Sequence, residues 1–122
     1  MIDKLTASLR ELDSVLFAYL FGSQATKQTH NNSDVDVAVF IASDKLDLDE
    51  QLTIHHALSK ALHQEIDLVI LNNLKSLTLL ENILKDGVLL KDTTNDLREL
   101  FELKSHHDIL DYKAFKRSVH AA

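Results

Sequence analysis

Gly22-Ser23 is followed by ten residues and then by Asp34-Val35-Asp36. Two aspartates one residue apart share a face of a β-strand, because side chains alternate and the rise is ~3.3 Å per residue. Their carboxylates then stand ~6–7 Å apart along the strand. Such a pair suits a hard divalent cation such as Mg²⁺, which takes a few carboxylates, waters and substrate phosphates. Upstream, the apolar run Val15 to Phe21 stops at Gly22, where a backbone without Cβ can turn sharply and come close to a ligand. Residues 24 to 28 can open a short helix whose free N–H groups suit a phosphate, and Ser23 adds a hydroxyl donor. A phosphate site beside a cation site is the minimum for phosphoryl-type transfer by positioning and charge neutralisation.

Transfer of this kind calls for a third carboxylate to share the cation and assist deprotonation of the attacking hydroxyl. Residues 65 to 71, EIDLVIL, read as the next strand, in which Asp67 shares a face with Glu65, Val69 and Leu71. An ionisable residue in an otherwise apolar strand is unusual unless it is paired or binds a metal. Asp67 is the candidate, and Glu65, nearer the strand end, is the fallback. Plainer readings exist for each residue alone. Gly22 can serve a simple turn, Asp34 a polar strand entry after Asn31-Asn32, and Asp67 an edge charge that discourages pairing. Their joint occurrence at this spacing favours the chemical reading.

The elements that must hold these residues follow from periodicity. Ile2, Leu5, Leu9 and Leu12 recur at spacings of three and four, predicting an amphipathic helix over residues 2 to 13. Strands are expected at 15–21, up to about 41, and at 65–71. Leu48, Leu52, Leu58 and Leu62 predict a helix over 48–63, capped by one of the aspartates between Asp44 and Asp49. His55, His56 and His63 fall on this helix at spacings that cannot chelate together, so a solvated face is expected for them. Asn72-Asn73 reads as a turn. Residues 76 to 86 read as a helix closed by Gly87, and Val88-Leu89-Leu90 as a fourth strand ending at Lys91-Asp92. From Thr93 on the pattern is helical, with Thr94 or Asn95 as cap. Its apolar positions are too many for one stripe, and His106-His107-Asp108 interrupts them. Two helices, or one long helix with a spare apolar face, both fit, and a spare face often marks a partner surface.

The expected class is α/β (α+β): a mixed sheet of about four strands with helices mainly on one face, leaving the other face open at the aspartates. Strands joined by a short connection should be neighbours, and helical crossovers should give parallel pairs. The chain has 122 residues, which suits one domain over 1–122 with a C-terminal helical segment at about 94–118. A net charge of −6 and no Lys/Arg cluster before Lys113, Lys116 and Arg117 argue against a nucleic-acid surface. There is no cysteine, so no disulfide or thiolate-metal argument arises. The first residues are not those of a signal peptide. The longest apolar run is far short of a membrane span. The cytoplasm is the expected compartment.

The Gly-Ser, ten-residue spacer and Asp-x-Asp, with an aspartate in the next strand, resemble the nucleotidyltransferase superfamily, the group similar to DNA polymerase beta in its catalytic core. The short length and local sequence are similar to its minimal nucleotidyltransferase branch, the antitoxins paired with HEPN-domain toxins. The resemblance spans roughly residues 1 to 92. It implies that Gly22 and Ser23 hold a triphosphate, that Asp34, Asp36 and Asp67 bind Mg²⁺, and that Asp67 assists the acceptor hydroxyl. It implies transfer of AMP from ATP, with the acceptor a tyrosine of a HEPN RNase toxin that the transfer silences. The family commonly has arginine soon after Gly-Ser, whereas this chain has Gln24-Ala25-Thr26-Lys27. Lys27 is then the candidate phosphate cation, without arginine's bidentate contact. Two other readings stay open: an antitoxin that only binds and occludes its toxin, and a nucleotidyltransferase for a small aminoglycoside-like acceptor.

Overall fold

Val15–Phe21 (β1) and Val35–Ile41 (β2) form the centre of the molecule in the computed structural model, which describes residues 1–22, 35–42 and 47–120. The two strands pair antiparallel, with Ile66–Ile70 (β3) parallel to β2 and Val88–Asp92 (β4) antiparallel to β1. The sheet order is β3-β2-β1-β4. The helices are Ile2–Arg10 (α1), Leu48–Leu62 (α2), Leu77–Asp86 (α3) and Asn95–His120 (α4). The mixed four-stranded sheet and the α+β class agree with expectation. Of the two helical crossovers only that through α2 joins parallel neighbours. The one through α3 carries β4 past two strands to the far side of β1.

The placement of the helices departs from expectation. They cover both faces of the sheet, not mainly one. Val35, Val37, Val39 and Ile41 pack with Leu5 and Leu9 of α1 and Ile54 and Leu58 of α2. Phe17, Tyr19, Phe21 and Ala38 pack with Leu80 and Ile83 of α3 and Ile109 of α4. The cause lies in the central strands, whose residues are apolar on both sides, so both faces need cover. On the second face Phe17 stacks on Phe40 with ring centroids 4.8 Å apart, and Phe101 of α4 lies 5.5 Å from both. An irregularity between Val15 and Phe17 turns Leu16 and Phe17 to this same face.

Local signals set the helix ends. Asp47 caps α2 by accepting from Asp49 N–H at 2.9 Å, and Ser76 caps α3 by accepting from Leu79 N–H at 3.2 Å. Gly87 ends α3, but in extended backbone at φ −70° rather than in the left-handed cap that its position suggested. Its requirement is close approach, since a Cβ there would overlap the Ile83 carbonyl oxygen. The left-handed cap belongs instead to His63, at φ 54°, just after α2.

Two further expectations are corrected, and one choice left open is decided. The buried stripe of α2 is Ile54 and Leu58; Leu48 and Leu52 face outward, because the helical repeat sets them on the other side of the helix from Ile54. Thr94 does not cap α4: its hydroxyl is buried and finds no partner among the described residues, while Asp92 accepts from Thr94 N–H at 3.1 Å. The C-terminal segment is one 26-residue helix, unbroken at His106-His107-Asp108. Phe101, Ser105 and Ile109 turn inward at helical spacing, so His106, His107 and Asp108 fall on its outer sides and need not interrupt it. Among the described residues no helix is long and apolar enough to cross a membrane.

Candidate functional site

Asp36 is the second residue of β2, and its register partners are Phe21 on β1 and Asp67 on β3. Partners in adjacent strands point to the same face at a strand spacing of ~4.8 Å. The sheet therefore sets the two carboxylates side by side, on the face that carries Ala38 and Phe40 further along β2. Those positions are covered by α3 and α4. The aspartates sit at the end of the same face, Asp36 half-buried and Asp67 exposed. The expectation of an open face thus holds only at this end.

Gly22 closes the site from the β1 side. Its φ is +78°, a left-handed backbone that favours glycine. A Cβ there would overlap Asp36 Oδ2 and lie 3.2 Å from Asp36 Cγ. The glycine is thus needed twice, for its backbone angle and for the room it leaves the carboxylate. Ser23, Lys27 and Asp34 lie outside the described residues. Glu65, the fallback carboxylate, is exposed on the same face as Asp67 at the entrance to β3, and its carbonyl accepts from Val35 N–H at 3.3 Å. Among the described residues no three His, Asp or Glu side chains stand together as a metal cage.

The donors that are described suit a hard divalent cation: two carboxylates brought together by register and an approach kept clear by glycine. Carboxylate oxygens beside a close-packed glycine turn can share such a cation with a phosphate chain.

Two side chains whose structural roles the sequence reading missed hold β3 in place. Asn72, in the 3-10 turn Leu71–Asn73, accepts from Ile41 N–H at 2.9 Å and donates to Ile41 O at 2.8 Å, continuing the β2–β3 ladder through a side chain. His55 of α2, expected on a solvated face, is half-buried with Nε2 2.8 Å from Ile66 O. Its place next to the inward-facing Ile54 was the available signal. Asn72 was legible only as a turn residue, because its partners lie 31 positions away.

Charged groups brace the far side. Lys91 Nζ donates to Leu9 O at 2.8 Å and Leu12 O at 2.9 Å, covering carbonyls at the end of α1. Burial pulls its pKa down, partly offset by Asp13. Tyr19 OH donates to Glu102 Oε1 at 2.5 Å, and Arg98 bridges Glu102 at 2.9 Å and Asp92 at 2.5 Å. Burial and then the Glu102 contact push the Tyr19 hydroxyl far above the usual phenol range. The hydrogen bonds to Asp92 and Glu102 hold the Arg98 guanidinium charged.

Known proteins share this architecture. Protein adenylyltransferase MntA of Shewanella oneidensis is 35% identical over 104 residues, covering 84% of this chain and 73% of the relative. A crystal structure of a toxin-antitoxin with AMP-PNP contains a chain 31% identical, with a TM-score of 0.79 over 97% of this chain and 94% of that one. Another, of a tri-AMPylated Shewanella oneidensis HEPN toxin in complex with MNT antitoxin, matches at 26% identity and a TM-score of 0.72, covering 98% and 95%. Residues 3–96, most of the chain, match the family described as polymerase beta, nucleotidyltransferase, and with Gly22, Asp36 and Asp67 assembled at one end of its sheet the chain belongs to that family.

Proposed function

We propose that this chain is an Mg²⁺-dependent protein adenylyltransferase that moves AMP from ATP to a tyrosine hydroxyl of a HEPN-type RNase toxin and so silences it. The observation that carries this reading is the register of β2 and β3, which pairs Asp36 with Asp67 beside the glycine turn. The relatives named above supply the nucleotide and the partner class. Asp34, Asp36 and Asp67 would hold the cation, which when bound neutralises phosphate charge and orients the triphosphate. Gly22 lets the backbone lie close to the phosphates, Ser23 offers them a hydroxyl, and Lys27 supplies a cation where relatives of this type carry arginine. Asp67, exposed at the sheet edge, takes the proton of the incoming tyrosine hydroxyl. The phenolic oxygen bonds to the α-phosphorus, the bond from that phosphorus to the β-phosphate bridging oxygen breaks, and pyrophosphate leaves. The product carries a bulky, negatively charged group, which would obstruct a phosphate-binding RNase cleft.

The toxin itself is the acceptor, so the antitoxin needs a surface to hold it. Leu100, Leu103 and Leu110 of α4 are 64%, 57% and 63% exposed, on the side of the helix away from Phe101, Ser105 and Ile109. We assign toxin docking to this outward face. Residues 1–122 then act as one unit, a minimal transferase with α4 as its docking arm. The reaction belongs in the cytoplasm, where ATP and cellular RNA are found.

The test uses the purified chain, the partner toxin, Mg²⁺ and ATP labelled on the α-phosphate, read by intact mass, with Asp36→Asn in parallel. AMP added to the toxin by the wild type, and lost by ~10²-fold or more with Asp36→Asn, is the expected result. A stable complex with no transfer would overturn the catalytic reading and leave an antitoxin that acts by occlusion.

A further inference from the structure

β3 is an edge strand, and its position decides whether Asp67 stands beside Asp36. Register in a sheet is unforgiving: a slip of one residue turns every side chain to the other face. A parallel edge strand of five residues, Ile66–Ile70, has few ladder bonds with which to resist such a slip. Asn72 pins its far end to Ile41. The near end, where Asp67 sits, is held differently. Val35 N–H bonds to Glu65 O, so the Glu65 carbonyl points into the sheet. Directions alternate along a strand, and the Ile66 carbonyl therefore points to the open edge. His55 Nε2 meets it there at 2.8 Å. A carbonyl oxygen only accepts, so Nε2 carries the proton. α2 is itself fixed by Ile54 and Leu58, both buried against the sheet. The imidazole thus ties a rigid helix to the peptide immediately before Asp67.

We infer that His55 is a positioning residue for the transferase site: its hydrogen bond to Ile66 holds the start of β3 so that Asp67 stays in register with Asp36. It touches neither substrate nor cation and acts through the backbone. The inference rests on reading Asp36 and Asp67 as one cation-binding pair. It gives a use to a histidine whose sequence spacing had offered none. It also explains how a short edge strand can carry a site carboxylate without a further strand outside it.

The experiment compares wild type with His55→Leu, His55→Gln and His56→Leu, and reads Mn²⁺ binding to the free chain by electron paramagnetic resonance. Glutamine keeps a donor of similar reach, and His56 is the exposed neighbour that makes no such contact. His55→Leu is expected to weaken Mn²⁺ binding ~10-fold, in the range seen when residues that orient metal ligands are removed. His55→Gln should recover most of the loss and His56→Leu should show none. Amide exchange at residues 67 and 69, whose N–H groups face β2, should quicken in His55→Leu only. In the transfer assay kcat should fall with Mn²⁺ affinity, not in proportion to the melting temperature. Unchanged Mn²⁺ binding in His55→Leu, a loss that glutamine does not restore, or a wild-type chain that binds no Mn²⁺ would each overturn the inference. Failure of the wild type to adenylylate the toxin would instead overturn the catalytic reading, and the Mn²⁺ and exchange measurements would still decide the role of His55.

Discussion

Gly22 carries two demands in one position, and they separate by experiment. Its φ of +78° is costly for any residue with a Cβ, and the added methyl would meet the Asp36 carboxylate. Gly22→Ala is expected to cost about 1–3 kcal/mol from backbone strain alone, measured by urea unfolding. AMP transfer should fall further than that stability loss implies, because the displaced group is Asp36 itself. Transfer that survives in a variant destabilised by this amount would show that the glycine serves only the turn. His63 is the converse case, a non-glycine at φ 54° closing α2. His63→Gly should stabilise the chain by about 0.5–1 kcal/mol, seen as a rise in melting temperature, since glycine takes the left-handed cap without Cβ strain. The site was legible at this scale to the extent that spacing encodes strand geometry. Asp36 and Asp67 announce themselves as charges in apolar strands. His55 and Asn72 announce themselves far less, by a neighbouring inward-facing Ile54 and by a turn pair, because the function of each is a contact with a backbone atom on another element.

The elements themselves were legible almost throughout, because each has its own periodicity and end signals: β1 stops at the glycine, α2 starts at an aspartate, and α3 starts at a serine. What the sequence could not supply was the side of the sheet to which each helix goes. The alternating Val35, Val37 and Val39 suggested one buried face, while the smaller or aromatic Ala38 and Phe40 that fill the other gave a weaker signal. α4 illustrates the same gap. Its inward stripe, Phe101, Ser105 and Ile109, runs through only part of its length, and Tyr112, Phe115 and Val119 beyond it are exposed. An apolar surface of this kind on a charged helix is an expected docking element. Leu103→Asp and Leu110→Asp should each change stability by no more than about 0.5 kcal/mol, because both side chains are exposed. Each should weaken the toxin complex by about 2 kcal/mol or more, read by calorimetry, as expected for anchors at the centre of an interface. Complexes of undiminished affinity would move the docking surface elsewhere.

Across the whole molecule, one polar chain joins the central strand, the edge strand β4 and the long helix: Tyr19 to Glu102, Glu102 to Arg98, Arg98 to Asp92. Tyr19 is 4% exposed, and its raised pKa links this network to the pH dependence of folding. An unfolded tyrosine ionises near pH ~10. Above that pH the unfolded chain gives up a proton that the folded chain retains, so the folded state binds more protons and stability falls as pH rises. The contribution of Tyr19 is therefore complete below about pH 10 and is lost progressively above it. Lys91 works in the opposite sense. Its lowered pKa lets the folded chain release a proton before the unfolded one, so its contribution rises with pH up to about 10.4 and then levels off. Stability should accordingly hold or climb toward pH ~10 and then drop. Tyr19→Phe should be less stable near neutral pH by about 1–2 kcal/mol, through loss of a hydrogen bond to a charged partner. Above pH ~10 its curve should be flatter than that of the wild type, and the two should converge, since the phenylalanine has no proton to lose. Urea unfolding from pH 8 to 11.5 measures both curves. An alkaline decline as steep in Tyr19→Phe as in the wild type would mean that the proton lost above pH 10 comes from another group. The network would then be a structural tie between the sheet and α4 with no part in the alkaline limit of the fold.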